Sequence, residues 1–422
     1  MSKFYGYDEA MENDIAKITT PKLALMSDVV ASDKKFIRME NGSLTVIAGV
    51  LIAVGNSVFK TEKTTLTASN LDGTATKFEV GKDYCIYICD PTGGDATNFA
   101  AEQYRISLNT TYPNGYTAVT SRKIGGFHYG VVRKTNSSGI PISASGAALG
   151  SGWETNVAEG IVPNSVWTLL HRPTCDPTGM VFIGPFWGDI YLSSDNGASG
   201  LQSKKGVVPI TGTEGLNWYI ANERAMRVGK RLPTYAEFCK GAYGSPQGED
   251  GNNTYAWSAT SNTARTTCGN VKNAVSATNV RDLVGNVWKW LDEFIHDPTG
   301  SSWNWYDVMS GQKVGQLYMA NSTGLHALFG GGGWADGVHD GSRTVNCNNY
   351  PWNVNTNIGV WCVCDYFENC QIGGAMACQQ GLFDNHLLNS QTAIPSRVNR
   401  ANLKQRSQIV AKAKEVWRKH YL

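Results

Sequence analysis

Residues 330–365 read GGGGWADGVHDGSRTVNCNNYPWNVNTNIGVWCVCD. The stretch has two textures. Gly332, Trp334, Gly337, Gly341, Ser342, Arg343, Pro351, Trp352, Ile358 and Gly359 have the look of framework. Glycine lets backbone pass close to backbone where a side chain would not fit, and tryptophan buries a large apolar area. Between them stand Gly333, Ala335, Asp336, Val338, His339, Asp340, Val345, Asn346, Asn348, Asn349, Tyr350, Asn353, Asn355 and Trp361, which share no chemistry. Positions so mixed are expected on one exposed face, where packing does not select them. Taken alone, the stretch also suits an ordinary Asn/Gly-rich loop.

Three segments lie outward from it. RLPTYAEFCKGAYG (231–244) predicts a helix start, with Thr234 as N-cap and Glu237 three residues on to return the bond, a capping box. The preceding GLNWYIANERAMRVGK (215–230) has helical spacing, with Leu216, Tyr219 or Ile220, and Met226 on the expected apolar face. VGNVWKWLDEF (284–294) carries Trp288 and Trp290, a pair able to bury a large apolar area. Asp282, Asp292 and Glu293 read as solvated or capping carboxylates.

The first ~170 residues read as all-β. Short β-branched runs such as FIRMENGSLTVIAGVLIAVGNSVF (36–59) and KFEVGKDYCIYICD (77–90) are broken by Asn-Gly and Gly-Lys turn signals. A Ser/Gly-rich stretch near 136–151 reads as linker or exposed loop. Past residue 368 the chain turns basic, and LKQRSQIVAKAKEVWRKHYL predicts an amphipathic helix with a solvated or subunit-packing face.

Charge selects no partner: 37 Lys and Arg against 35 Asp and Glu leave a formal +2, too little for a nucleic-acid field. The N-terminus lacks the apolar run of a secretory signal. No segment approaches the ~20 apolar residues of a membrane helix. The ten cysteines are therefore read as reduced and mostly buried. Cys85 and Cys89 are expected to face the core, Cys362 and Cys364 to share one face of a strand, and none has zinc spacing. His128 and His171 are expected to be packed or turn histidines.

Four segments in this order, RLPTYAEFCKGAYG, VGNVWKWLDEF, GGGGW and NIGVWCVCD, resemble the formylglycine-generating-enzyme branch of the C-type-lectin fold. The resemblance covers roughly residues 178–367. It implies a fold class of an N-terminal all-β region (β-prism or β-sandwich-like) followed by an α+β C-type-lectin-like domain. The domains expected are 1–120, an all-β assembly region; 121–174, a β connection; 175–367, the ligand-binding domain; and 368–422, the basic extension.

The enzymatic branch would need two cysteines after the GGS-type motif. Asp336 and Gly341 stand there instead, and Cys347 comes six residues late. Without a thiolate there is neither a soft copper ligand nor a redox nucleophile, so no catalytic residue is assigned. The branch's calcium-ligating Glu is Lys289 here; no metal or other cofactor is assigned, and other calcium positions stay open. A calcium-dependent sugar lectin would need Glu-Pro-Asn or Gln-Pro-Asp, and neither occurs.

Residues 330–365 are more similar to the variable region of diversity-generating-retroelement proteins of the phage tropism-determinant kind. In that family adenine-directed mutagenesis diversifies codons, most productively Asn codons, over a fixed framework. The resemblance makes the fourteen mixed positions above the ligand-binding surface, with Trp288, Trp290, Trp334, Arg343 and Trp352 as its support. Trp361 stands where the family usually has Arg. The implied function is attachment by a phage tail fibre to the host cell, not catalysis. The implied partners are a host surface receptor (protein or glycan), other tail proteins and two further copies in a homotrimer. Nucleic acid and membrane insertion are not expected, and the virion is the expected location.

Overall fold

A computed structural model describes residues 29–55, 57–90, 98–99, 103–248, 264–297, 304–308, 315–319 and 323–366. The expected basic extension at 368–422 and the polar N-terminal segment lie outside them.

The first half is strand after strand, as the β-branched runs and turn signals dictate. Three sheets carry it. One has four strands, Val29–Val30, Leu51–Val54, Ser57–Thr61 and Asn98–Phe99. A second pairs Ile37–Glu40, Ser43–Val46 and Thr64–Leu66. The third is built around the long strand Ser121–Arg133, flanked by Lys82–Cys89 and Val157–Ile161. Phe36, Leu44, Ile52, Phe59, Ile86, Ile106 and Phe127 fill one core between them. The expected boundary at 120/121 falls inside the third sheet, so the N-terminal and connecting regions share that core. Cys85 and Cys89 are buried, as expected. His128 is buried between Asp83 and Tyr191, each 3.0 Å from a ring nitrogen. His171 is also buried, with Tyr366 Oη 3.3 Å from its Nδ1.

The second half wraps two short helices and a six-stranded sheet around buried tryptophans. Its strand order is Asn304–Asp307, Gln316–Met319, Val345–Asn349, Gly324–Gly330, Trp288–Asp297, Ile358–Gly359. A smaller sheet, Met180–Phe182, Phe186–Asp189 and Val363–Asp365, ties the start of this half to its end. The helix Tyr235–Ala242 begins with the predicted box: Thr234 accepts from Glu237 N, and Glu237 accepts from Thr234 N at 2.9 Å. Such a cap is worth about 1 kcal/mol. Glu237 also takes both arms of Arg231 at 2.7 Å, which holds its carboxyl below the usual range against the opposing effect of burial.

The helix Trp218–Arg227 exists where expected, but its buried face differs. Ala221 and Ala225 point inward, with Leu216 buried just before it, while Tyr219 and Met226 are exposed. Asp282 is likewise no solvated carboxylate; it is buried and accepts from Gly269 N at 2.6 Å. Glu293 does cap, accepting from Tyr235 N at 2.7 Å.

Candidate functional site

The glycine run is the hinge of the site. Gly331 and Gly332 adopt φ of +92° and +81°, the left-handed region that glycine enters without a Cβ penalty. A Cβ on Gly331 would strike the Leu283 carbonyl, and one on Gly332 would strike the Asp340 carboxylate. The turn that follows, Gly337–His339, lifts Ala335 and Val338 into solvent. Val338 is 50% exposed.

The fourteen candidate positions divide. Ala335 and Val338 are exposed, and Asp336, His339, Asn348, Asn349, Tyr350, Asn353 and Asn355 are half-buried at the surface. Gly333, Asp340, Val345, Asn346 and Trp361 are buried, which corrects their expected place on the open face. Each has a physical reason. Asp340 ends the short turn beneath Gly332, where its main-chain oxygen accepts from Gly248 N at 2.9 Å. Val345 and Asn346 belong to an inner strand paired on both sides, with Gly324–Gly330 and Gln316–Met319. Gly333 packs against the Trp288 ring. Trp361 is wholly buried, and its indole N–H donates to Asp189 O at 2.7 Å. Gly188 and Gly241 make room for that ring; a Cβ at either would collide with it.

The expected support residues divide too. Trp288 and Trp290 are buried, and Trp334 is half-buried against the core. The Arg343 backbone oxygen accepts from Tyr235 Oη at 2.7 Å. Trp352 is corrected: 56% exposed, it stacks on Tyr350 with ring centres 4.9 Å apart and planes 7° apart. It is surface, not framework. Below this pair the loop is pinned through its backbone, with Trp218 N donating to Pro351 O at 3.1 Å and Gly212 N to Asn355 O at 2.9 Å. The side chains of that segment thus ride on a fixed main chain, and exposed Val354 lies beside them in sequence.

Several contributors carried no motif. Trp305 stacks flat on His339, centres 4.2 Å apart, and lies 4.6 Å from Tyr318. Gln316 Oε1 meets His339 Nδ1. His326, on the strand adjoining Val345–Asn349, packs 4.9 Å from Tyr350. The aromatic density of NWYD (304–307) was the one available signal.

Beneath the site lies Lys289, fully buried. Its ammonium donates to Leu283 O at 2.8 Å, Gly285 O at 2.7 Å and Gly332 O at 3.4 Å. Burial pulls its pKa down to about 7, while Asp340, Asp282 and Asp336 act in the opposite direction. Burial also raises the Asp336 carboxyl, opposed by a bond from Gly333 N at 2.8 Å. This cage does not fit a calcium ion. A divalent cation would have to share three carbonyl oxygens with an ammonium already bonded to them, and the two charges repel. Cys347, the thiol nearest the oxidase positions, is buried and pushed up to about 12, the wrong direction for a nucleophile.

Comparison with known proteins agrees with this geometry. Residues 34–154 match the family model for the Mtd second domain. The chain is 29% identical over 359 residues to the tail fiber receptor-binding protein of Bordetella phage BPP-1, covering 78% of this chain and 82% of that one. Among solved structures it resembles the Major Tropism Determinant M1 variant, with a TM-score of 0.59, 26% identity, and 80% of this chain and 85% of that one covered. The I1 variant gives the same TM-score and identity, covering 80% and 86%. Over about four fifths of its length the chain is thus similar to the tropism-determinant receptor-binding proteins, and residues 34–154 carry the Mtd second domain.

Proposed function

We propose that this chain is a phage tail-fibre receptor-binding protein that attaches the virion to its host through a diversified surface. The observation that carries it is the pairing of exposed, unrelated side chains with a main chain fixed from below. Ala335, Val338, Asn348, Asn349, Tyr350, Trp352, Asn353 and Asn355 lie on or near the surface. The backbone bonds to Trp218 and Gly212, and the left-handed glycines, hold their positions whatever side chain they bear. Stacked aromatics offer contact area at low entropic cost and the amides offer adaptable hydrogen bonds, the combination antibody paratopes use. The name of the BPP-1 relative, a receptor-binding tail fibre protein, points the same way.

Finer features belong to this reading. The lectin-like domain is of the formylglycine-generating-enzyme type, supported by the four motifs in order, and acts without catalysis. The three N-terminal sheets around one core suit a β-prism used for assembly. A homotrimer on the tail, made in the host cytoplasm and bound to other tail proteins, would multiply weak single contacts by avidity. The receptor is a host-surface protein or glycan, and no cofactor takes part.

The test is a triple variant, Val338→Ala, Tyr350→Ala and Trp352→Ala. Adsorption of virions to host cells should fall at least tenfold while the melting temperature moves only a few degrees. Unchanged adsorption would overturn the assignment of the surface.

A further inference from the structure

Cys175 and Cys364 lie on facing segments of chain. Pro173 bridges Tyr366 in an antiparallel pair, and Thr174 N donates to Asp365 O at 3.0 Å. Counting on in the same register sets Cys175 opposite Cys364, at a position without a mutual backbone bond. Cross-strand residues of that kind have Cα atoms roughly 4.5 Å apart, inside the roughly 4.4–6.8 Å that a disulfide spans. The side chains already meet. The Cys364 sulfur accepts from Cys175 N at 3.3 Å, lies 3.1 Å from Thr174 Oγ1 and donates to Gly229 O at 3.4 Å, while the Cys175 thiol donates to Asp176 O and Met180 Sδ. Cys364 is buried, whereas Cys175 is partly exposed.

We propose that Cys175 and Cys364 are a disulfide-forming site, closed by exchange with a low-molecular-weight disulfide, which bolts the final strand Val363–Asp365 to the segment that opens the lectin-like domain. The partly exposed Cys175 sulfur attacks the reagent disulfide and forms a mixed disulfide, releasing one thiol that carries off the Cys175 proton. The Cys364 thiolate, its proton already lost to solvent, then attacks Cys175 Sγ, the mixed bond breaks, and the second reagent sulfur leaves as a thiolate that takes a proton from water. Two protein thiols lose two electrons, and one reagent disulfide becomes two thiols. The donors around Cys364, first the Cys175 thiol and then Thr174, hold its pKa down to about 6, so it is ready to act as the resolving thiolate. The Cys364 sulfur and burial hold the Cys175 thiol above the usual range, opposed by Lys230, which Asp189 binds at 2.6 Å, so the opening exchange at Cys175 is the slow step. Nearly the whole lectin-like domain lies inside the closed ring, and long rings constrain the unfolded chain most.

The full chain, incubated with glutathione disulfide or with glutathione, is alkylated after denaturation and mapped by mass spectrometry. The expected result is one cross-linked peptide joining Cys175 to Cys364, reversed by dithiothreitol. It should come with a rise in melting temperature of roughly 10 °C. Cys175→Ser should fold, give no cross-link and show no rise; the wild-type map does not depend on any variant folding. A stable glutathione adduct on Cys175, free alkylation of both thiols, or a link from Cys175 to Cys370 would each overturn the proposal.

Discussion

Replacing Trp361 by alanine separates a support residue from a binding residue. The indole is wholly buried among Val181, Phe186, Leu283 and Val363. Burying about 200 Å² of ring at about 25 cal/mol per Å² contributes about 5 kcal/mol. A compact unfolded chain lowers that figure, and the lost bond to Asp189 O adds back about 1 kcal/mol. The cavity cannot close, because the walls at Gly188 and Gly241 are backbone. The expected loss is therefore about 4 kcal/mol, within the range of core Trp truncations of about 3–5 kcal/mol. Urea unfolding should show a lower midpoint at constant slope. Trp352→Ala, which removes only the stack on Tyr350, should cost about 1 kcal/mol. Equal costs for the two would refute the division of the site into support and surface.

Other outcomes follow from the buried cage. Lys289→Met leaves the buried Leu283 and Gly285 carbonyls without their side-chain donor, and should cost about 2–4 kcal/mol by urea unfolding at pH 8 or above. Lys289 titrates near 7 in the fold and near 10.4 when unfolded. Between these the unfolded chain binds more protons, so wild-type stability measured against Lys289→Met should climb as pH rises from 7 towards 10. The slope is at most about 1.4 kcal/mol per unit, and a flat difference would contradict the burial. Added calcium should leave the wild-type melting temperature unchanged, since the ammonium occupies the carbonyls; a rise would show a site elsewhere. Gly332→Ala places a Cβ at φ +81° against Asp340 and should cost about 2 kcal/mol or more in the same unfolding assay.

The local signals in the sequence were legible because their physics is local. Thr234 and Glu237 form the box that their spacing predicts, and Trp288 and Trp290 are buried as a pair of large rings should be. What failed to show was direction. Ala221 and Ala225 form the buried face of their helix because small residues permit close approach, yet they carry little apolar weight in a periodicity reading. Val345, Asn346 and Cys347 are buried in succession, and the register shift between Ala327 and Phe329 on the partner strand disturbs simple alternation. Trp361 reads as a changed surface residue only until Gly188 and Gly241, distant in sequence, prove to have been emptied for it. Trp305 and His326 join the site through sheet pairing that no short motif encodes.

The most direct measurement is a randomised library displayed on intact fibres. One arm varies Val338, Tyr350, Trp352 and Asn353; the other varies Asp340, Val345, Asn346 and Trp361. The first arm should yield mostly folded protein with altered host-cell binding, and the second mostly unfolded protein. Unfolding in the first arm, or folded clones there whose binding never changes, would contradict the account.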